Sequence, residues 1–258
     1  MAGVTRAFRK LSEDWEFNTL SIYNYNRAGS FSGLFNFLES NLDKPGDILE
    51  AGVFRGSSLL AIALFLKEKG SSKTVYGFDS WTGFPPVLRD EDNLEMFHEL
   101  NHQGLISDDH LESHKKLVEI RSFMNGQAQS PLTLSTSGDF SGCSRQQLEA
   151  KIDFLGLDNI VLIQGPFDQT MCLKDFLGIK LIAAVIDADL YASYEVALPF
   201  IWQQLEPYGY VHLDEYYSLK FPGARIATDR FCSDQGITPL MHKPRRPGDF
   251  ERWYLRKA

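Results

Sequence analysis

Short apolar runs alternate with amphipathic segments along most of the chain, a pattern that predicts parallel strands covered by helices. Five apolar runs are expected to form strands, at residues 47–52, 74–78, 159–163, 181–185 and 210–213. Helical spacing of apolar residues predicts helices at 57–69, 144–155, 167–177 and 194–205. Gly70 is placed to end the first helix. The repeated order of strand, helix and strand favours an α/β fold with right-handed crossovers.

Three segments depart from this alternation. Residues 1–40 look helical and carry many aromatic side chains, so we expect them to cover a sheet edge, close a site as a lid or join a subunit interface. Residues 85–140 are irregular and predict an insertion of short helices and loops near the site. The tail predicts two antiparallel strands, 239–242 and 252–255, around a basic turn. No repeat or linker divides the chain, so we predict one domain over residues 1–258.

Composition and charge narrow the class of protein. The chain has 258 residues, 43% of them hydrophobic, which is enough for one well-buried domain. Its net charge of -8 argues against a general nucleic-acid binder, which needs clustered Lys and Arg. No apolar run approaches membrane-spanning length, and the first 16 residues are mixed and charged, so we expect neither a membrane protein nor a signal peptide. Cys143, Cys172 and Cys232 form no disulfide or zinc pattern, and we expect mostly buried thiols in a cytoplasmic protein.

The histidines of the chain are expected to be structural or solvated. The insertion holds four of them (His98, His102, His110 and His114), and their spacing fits no zinc site, so we predict a solvated surface. His212 lies inside a predicted core strand. We interpret it as a core histidine with satisfied hydrogen bonds, and not as a catalytic base.

Four carboxylates follow two consecutive predicted core strands. Asp187 and Asp189 come after one strand, and Asp214 and Glu215 come after the next. A buried charge is costly unless it is paired or bound to a metal. In an open α/β sheet, ligands bind in the crevice outside the carboxyl ends of the strands. The four side chains are therefore predicted to converge on one crevice; the alternative is two acidic loops in an acidic protein.

A glycine turn follows the first predicted strand. Gly52 and Gly56 allow a ligand to approach the backbone, but the dinucleotide pattern G-x-G-x-x-G is incomplete. Glu50, just before the turn, would repel a pyrophosphate and suits a ligand with positive charge. Asp79 ends the second strand, where nucleotide-binding sheets place an acid that accepts from ribose hydroxyls. Tight packing explains the glycines equally well. Phe167, which follows the third strand, either flanks an adenine ring or is a buried residue at a helix start.

Several of these motifs together resemble one known family. Residues 49–57, 78–85, 186–191 and 209–216 look like the corresponding motifs of the macrocin O-methyltransferase family. Residues 222–227 resemble the family's Pro-Gly-Cys-Arg segment, with Ala224 in place of Cys. The resemblance spans roughly residues 45–256, and the linked motifs occur in the family's order.

The resemblance implies a fold and an activity. The implied fold is Rossmann-like, of the class I methyltransferase type: a mostly parallel seven-stranded sheet with helices on both faces and an antiparallel C-terminal strand. The implied activity is methylation of a hydroxyl of a sugar or glycosylated small molecule, often in antibiotic biosynthesis. The implied cofactors are S-adenosylmethionine and Mg²⁺. We expect a small-molecule acceptor and a homo-oligomer as partners.

Roles for single residues follow from the same resemblance. It implies that Glu50, Gly52 and Gly56 hold the methionine part of the cofactor, that Asp79 holds its ribose and that residues 164–167 hold its adenine. The implied cofactor-binding set is Glu50, Ala51, Gly52, Gly56, Ser57, Asp79, Ser80, Gln164, Gly165, Phe167 and Asp187. The implied metal ligands are Asp187, Asp214 and Glu215, and the implied catalytic residues are Asp189, as base, and Asp187. The family usually has Asp-Asp where this chain has Asp214-Glu215, one methylene longer.

Two other functions stay open at this point. One is a Rossmann-type NAD oxidoreductase, which the missing third glycine and Glu50 disfavour. The other is a non-catalytic S-adenosylmethionine-binding module that keeps the fold without the chemistry.

Overall fold

A seven-stranded sheet forms the centre of the computed structural model, which describes residues 6–243 and 250–258. The strands are β1 (Asp47–Ala51), β2 (Val75–Asp79), β3 (Ile160–Gln164), β4 (Leu181–Ile186), β5 (Leu205–Leu213), β6 (Leu240–Met241) and β7 (Trp253–Arg256). Their spatial order is β3-β2-β1-β4-β5-β7-β6. The first five strands are parallel, and β7 is antiparallel to both β5 and β6. The predicted sheet, with its antiparallel C-terminal end, is confirmed.

Helices cover both faces of this sheet. They are α1 (Asp14–Leu20), α2 (Ser32–Ser40), α3 (Ser57–Glu68), α4 (Met96–His102), α5 (Asp108–Asn125), α6 (Pro131–Leu134), α7 (Arg145–Leu155), α8 (Phe167–Thr170), α9 (Tyr191–Gln204) and α10 (Pro222–Gln235). Successive strand residues point to opposite faces, so Ile48 packs with α3 in one apolar core and Leu49 packs with α9 in the other. Both faces are therefore buried, as expected of a parallel sheet.

The amino-terminal segment belongs to the first of these cores. Phe17 and Leu34 are fully buried there, and the Phe31 ring lies 4.8 Å from that of His212 on β5. Among the described residues 6–40, none lines the cavity at the carboxyl edge of the sheet. The aromatic rings thus find their burial on a sheet face and not over the cavity. A role of this segment in a subunit interface stays a prediction.

Several predicted boundaries differ from the structure. The helix predicted at 167–177 is only α8 followed by a 3-10 turn at Lys174–Phe176, because Leu173 and Leu177 are exposed and do not form a buried helical face. Helix α9 begins at Tyr191, three residues before the predicted start. Strand β5 already begins at Leu205. The basic turn predicted between the last two strands lies largely at 244–249, outside the described residues.

The prediction of four solvated histidines is wrong for two of them. His98 and His102 are exposed, but His110 and His114 on α5 are only 2% and 4% exposed. Nε2 of His110 lies 3.0 Å from the carbonyl oxygen of Ser218, and Nδ1 of His114 lies 2.8 Å from that of Leu219. Burial lowers the pKa of both rings, which favours neutral imidazoles that donate to these carbonyls. The expectation of mostly buried thiols holds for Cys232 only, since Cys143 is half-buried and Cys172 is exposed.

Candidate active site

The strand order reverses between β1 and β4, and a crevice opens outside their carboxyl ends. Gly52 follows β1 with φ +89°, and a Cβ at this position would clash with the carbonyl oxygen of Asp187 after β4. Only glycine therefore allows the two strand ends to come this close.

A cavity of about 610 Å³ fills this crevice. Eight of the residues predicted from the sequence line it: Gly52, Ser57, Asp79, Ser80, Gly165, Phe167, Asp187 and Asp189. Ala51 and Gly56 do not line the cavity but flank the turn after β1. Ala51 is the buried last residue of β1, and Gly56, at φ +80°, is the N-cap of α3. Gln164 is exposed beside the cavity, where its side-chain oxygen accepts a hydrogen bond from Arg145.

Glu50 lies behind the cavity wall and is fully buried. Its Oε1 accepts a hydrogen bond from the hydroxyl of Ser58, a residue that lines the cavity, and its Oε2 has no hydrogen-bond partner. Burial raises the pKa of Glu50 to about 8, against the lowering effect of the Ser58 hydrogen bond. A cationic ligand close to this carboxylate would favour its ionised form. Ser58 was missed in the sequence, because it carries no motif of its own.

Asp79 holds two loops as well as lining the cavity. Its Oδ2 accepts hydrogen bonds from the backbone N–H groups of Val53 at 2.8 Å and Phe54 at 2.7 Å, and its Oδ1 accepts from that of Trp81 at 2.7 Å. A carboxylate has about four lone-pair sites, so capacity for a ribose hydroxyl remains. The side chain therefore ties the glycine turn after β1 to the loop after β2.

Of the four acidic residues predicted to converge after β4 and β5, three form one cluster, and the fourth, Asp189, lines the cavity. Asp187, Asp214 and Glu215 each place one carboxylate oxygen so that the three oxygens lie within 4.8 Å of one another. Oε2 of Glu215 is buried and has no hydrogen-bond partner. Three converging oxygen ligands with an unpartnered buried atom fit a hard divalent cation such as Mg²⁺. The extra methylene of Glu215 still lets its carboxylate reach this cluster.

The charges in this cluster repel one another. Burial, followed by the neighbouring Asp214 and Asp189, raises the pKa of both Asp187 and Glu215 well above the ordinary range. Burial also raises the pKa of Asp189 to about 7, and the Lys220 ammonium opposes that shift. Burial would raise the pKa of Asp214, but its contacts with His212, Arg252 and Glu215 together outweigh burial and lower that pKa. A cation bound among these carboxylates would relieve their mutual repulsion.

His212 is not the satisfied core histidine that the sequence predicts. It is fully buried, yet its Nε2 has no hydrogen-bond partner and lies 3.5 Å from Oδ1 of Asp214. On the same Oδ1, Nη1 of Arg252 approaches to 3.6 Å. His212 lies two positions before Asp214, and residues at this spacing in a strand point to the same side of the sheet. This spacing is the sequence signal that could have linked His212 to the site.

The cavity wall opposite the strand ends is aromatic. Phe54, Phe84 and Phe140 line it, with ring centroids 5.2 Å apart for Phe54 and Phe140 and 5.0 Å apart for Phe84 and Phe140. Pro85 and Phe140 come from the two ends of the predicted insertion, which therefore borders the cavity. Phe54, Phe140 and Asp189 all have φ between 51° and 60°, an uncommon conformation for non-glycine residues that concentrates at functional sites.

No helix in residues 6–243 or 250–258 is long and apolar enough to cross a membrane. The sequence matches the model of the macrocin-O-methyltransferase (TylF) family over residues 3–120 and 128–248. It is 24% identical over 211 residues to the mycinamicin III 3''-O-methyltransferase of Micromonospora griseorubida, which covers 81% of this chain and 68% of the relative. It is 27% identical over 176 residues to a tetracenomycin rhamnosyl 4'-O-methyltransferase of Streptomyces olivaceus, which covers 67% of this chain and 53% of the relative.

Solved structures share the fold. The O-methyltransferase NovP superposes with a TM-score of 0.62 at 18% identity, over 88% of this chain and 79% of NovP. The calicheamicin methyltransferase CalS11 superposes with a TM-score of 0.58 at 23% identity, over 95% of this chain and 80% of CalS11. The sheet order, the crevice at its reversal and a family match over nearly the whole sequence agree: the chain belongs to the macrocin-O-methyltransferase family and is an S-adenosylmethionine-dependent O-methyltransferase.

Proposed function

We propose that this enzyme methylates a hydroxyl of a sugar or glycosylated small molecule in a divalent-metal-dependent reaction, in natural-product or saccharide biosynthesis. The convergence of Asp187, Asp214 and Glu215 beside the cavity carries the metal part of the proposal. The relatives carry the acceptor part, because two of them are named for methyl transfer to antibiotics, one of these to a rhamnosyl group.

The cofactor would occupy the side of the cavity next to β1, β2 and β3. Gly52 leaves room for the ligand at the turn, Asp79 offers a carboxylate to the ribose, and Phe167 offers a ring at the end of β3. Glu50 would act through Ser58, from behind the wall. Because Glu50 does not itself line the cavity, we place it as support for the methionine end and not as a direct contact.

The acceptor would occupy the side of the cavity next to β4 and β5. Asp187, Asp214 and Glu215 would hold the metal there, with oxygen atoms only. When bound, the metal supplies Lewis-acid activation of the hydroxyl, and the cofactor supplies an activated methyl group. Asp189 lines the cavity two residues after Asp187 and would accept the hydroxyl proton. A carboxylate within hydrogen-bond reach of the hydroxyl can take its proton as a general base.

The direct test measures transfer of a labelled methyl group from S-adenosylmethionine to a panel of methyl glycosides and to mycinamicin III. We expect transfer with Mg²⁺, none in EDTA, and restoration when Mg²⁺ is returned. Full transfer in EDTA would contradict the metal mechanism. Binding of S-adenosylmethionine without transfer to any of these acceptors would contradict the proposed acceptor class.

Two further expectations stay proposals. Three free cysteines accord with a reducing cytoplasm. A homo-oligomer is the expected assembly, and sedimentation of the purified chain would test it.

A further inference from the structure

The acidic run at Asp90–Asp92 is not a uniformly solvated loop. Asp90 is exposed, whereas Asp92 is only 2% exposed. A buried carboxylate is costly unless other groups hold it. The metal site and the cofactor site described above do not use Asp92, so its burial has a separate cause.

Asp92 faces the beginnings of two helices. Its Oδ1 accepts a hydrogen bond from the backbone N–H of Tyr191 at 2.7 Å, in the first turn of α9, where N–H groups lack intrahelical partners. The same oxygen lies against Gly223 in the first turn of α10, where a Cβ would clash with it. Helix amino termini stabilise a nearby anion. The other carboxylate oxygen, Oδ2, is buried and has no hydrogen-bond partner.

The neighbours of Asp92 reach the same place. Glu91 forms an ion pair with Arg230 at 2.8 Å, and Nη1 of Arg230 donates to the Tyr191 hydroxyl at 2.7 Å. Arg89, which lines the cavity, has its Nη2 3.8 Å from Oε2 of Glu195 on α9. Contacts of Arg89, Glu91 and Asp92 therefore join this segment to the first two turns of α9 and to α10.

Tyr191 also ends the turn that carries Asp189. Asp189 has φ +60°, and the N–H of Leu190 donates to the carbonyl oxygen of Ala188 at 2.6 Å, which closes the turn tightly. Such a backbone persists only where its surroundings hold it. Asp92 holds it from outside, through the N–H of Tyr191. At the same time Asp92 ends the stretch 84–92, whose Phe84, Pro85, Val87 and Arg89 form part of the cavity wall.

We propose that Asp92 is a positioning residue that locks the cavity-wall stretch 84–92 to the turn of Asp189 and so fixes the acceptor hydroxyl relative to that carboxylate. This inference rests on the proposed methyl transfer to a hydroxyl. A displacement of about 1 Å between reacting groups can lower a rate about 10²-fold. The loss should fall on the acceptor more than on the cofactor, because Asp79, the carboxylate proposed for the cofactor ribose, ends β2, and β1 separates β2 from β4.

The test compares Asp92→Ala and Asp92→Asn with Asp90→Ala, which removes an exposed carboxylate from the same acidic run. Hydrogen–deuterium exchange of residues 186–194 reports on the turn without any substrate. Steady-state kinetics with the best acceptor from the glycoside panel report on positioning. For Asp92→Ala we expect faster exchange and kcat/KM for the acceptor lower by about 10²-fold, with affinity for S-adenosylhomocysteine within about twofold of the parent. Asp92→Asn should recover part of the loss, since its side-chain oxygen still accepts from Tyr191.

Gly223→Ala disturbs the same contact without changing Asp92, because its Cβ would clash with the Asp92 carboxylate and with the Cβ of Tyr191, the two partners of the hydrogen bond. We expect the same pattern from this variant, and together with Asp92→Asn it decides the question if Asp92→Ala does not fold. Exchange and kinetics equal to those of Asp90→Ala would overturn the proposal. An equal loss of S-adenosylhomocysteine affinity would overturn it too, in favour of a general structural role. If the parent methylates no acceptor, the proposed function fails, and the exchange measurement still decides whether the lock exists.

Discussion

The Nε2 atom of His212 lies 3.5 Å from Oδ1 of Asp214, with the histidine fully buried on β5 and the aspartate at the end of the same strand. Arg252, on the approach to the antiparallel strand β7, reaches the same oxygen at 3.6 Å. Groups that contact a ligand carboxylate from behind fix its orientation, and their loss commonly weakens metal binding by about 10–100-fold. Of the three proposed ligands, Asp214 therefore has the carboxylate whose orientation is most firmly fixed by neighbouring side chains.

The first prediction follows from this contact. His212→Phe keeps a ring beside Phe31 but removes the nitrogen that faces Asp214, so Mn²⁺ affinity should fall by about tenfold or more. Electron paramagnetic resonance of free Mn²⁺ measures this without substrate. His242→Phe is the matched control, because the His242 ring packs on Tyr254 and its Nε2 lies 3.0 Å from the Tyr210 hydroxyl, on the far side of Tyr210 from the carboxylates. Equal Mn²⁺ affinity in both variants would contradict the positioning role of His212.

The second prediction concerns Glu215. Glu215→Gln removes a carboxyl group whose ionisation is opposed by burial and by its acidic neighbours but which would be an anionic ligand when the metal binds, so Mn²⁺ binding should weaken about tenfold or more. In EDTA the same variant should melt no earlier than the parent and up to a few °C later, since each 1 kcal/mol is worth about 2–4 °C in a chain of this size. Titration calorimetry with Mn²⁺ tests the expected loss of affinity, and scanning calorimetry in EDTA tests the expected equal or higher melting temperature. Glu112→Gln, on the exposed side of α5, should change neither. Unchanged Mn²⁺ affinity would remove Glu215 from the metal site.

The third prediction concerns the double role of Asp79. Asp79→Asn places an amide against the backbone donors that now bond this carboxylate, so both loops should loosen and affinity for S-adenosylhomocysteine should fall by about 1.5–3 kcal/mol. Thermal stability should fall as well, because three hydrogen bonds are disturbed. Asp168→Asn is the control, as an exposed acid that also lines the cavity. Calorimetric titration showing normal affinity in Asp79→Asn would exclude Asp79 from the cofactor site.

The sequence alone predicted the parts of the fold that depend on local pattern. Strands β1 to β5 and the acidic residues after β4 and β5 follow from apolar runs that end in carboxylates, and parallel strands bring such ends to one edge. The glycine turn was likewise readable, because the close approach of Gly52 to Asp187 requires a residue without Cβ.

The remaining features depend on tertiary contacts that no local pattern records. His110 and Asp92 lie in the irregular insertion, where His110 is buried against Phe97 and Tyr217, and Asp92 against the first turns of α9 and α10. The three backbone donors to Asp79 come from two separate loops. Val53 and Trp81, one from each loop, are more than 20 residues apart in sequence. The aromatic residues at 1–40 predicted that this segment is buried. Hydrophobicity alone did not show whether it packs on a sheet face or covers the cavity as a lid.

The last prediction is that protonation of His110 lowers the stability of the folded protein in acid. Burial lowers the pKa of this ring to about 4 in the folded protein, below the ordinary value near 6.5 of an unfolded chain. The unfolded chain therefore binds the proton first as the pH falls. Stability contributed by the neutral ring is complete above pH 6.5 and is lost as the pH falls toward 4.

We expect the parent to lose on the order of 1 kcal/mol of unfolding free energy between pH 7 and pH 5 through this one group. His110→Gln keeps a side-chain donor for the carbonyl of Ser218 but cannot take up the proton, so its stability should depend less on pH over this interval. His102→Gln removes an exposed imidazole from the neighbouring helix and should leave the dependence unchanged. Urea unfolding of the three proteins at both pH values measures the difference. Parallel pH dependence in all three would show that His110 does not govern acid stability.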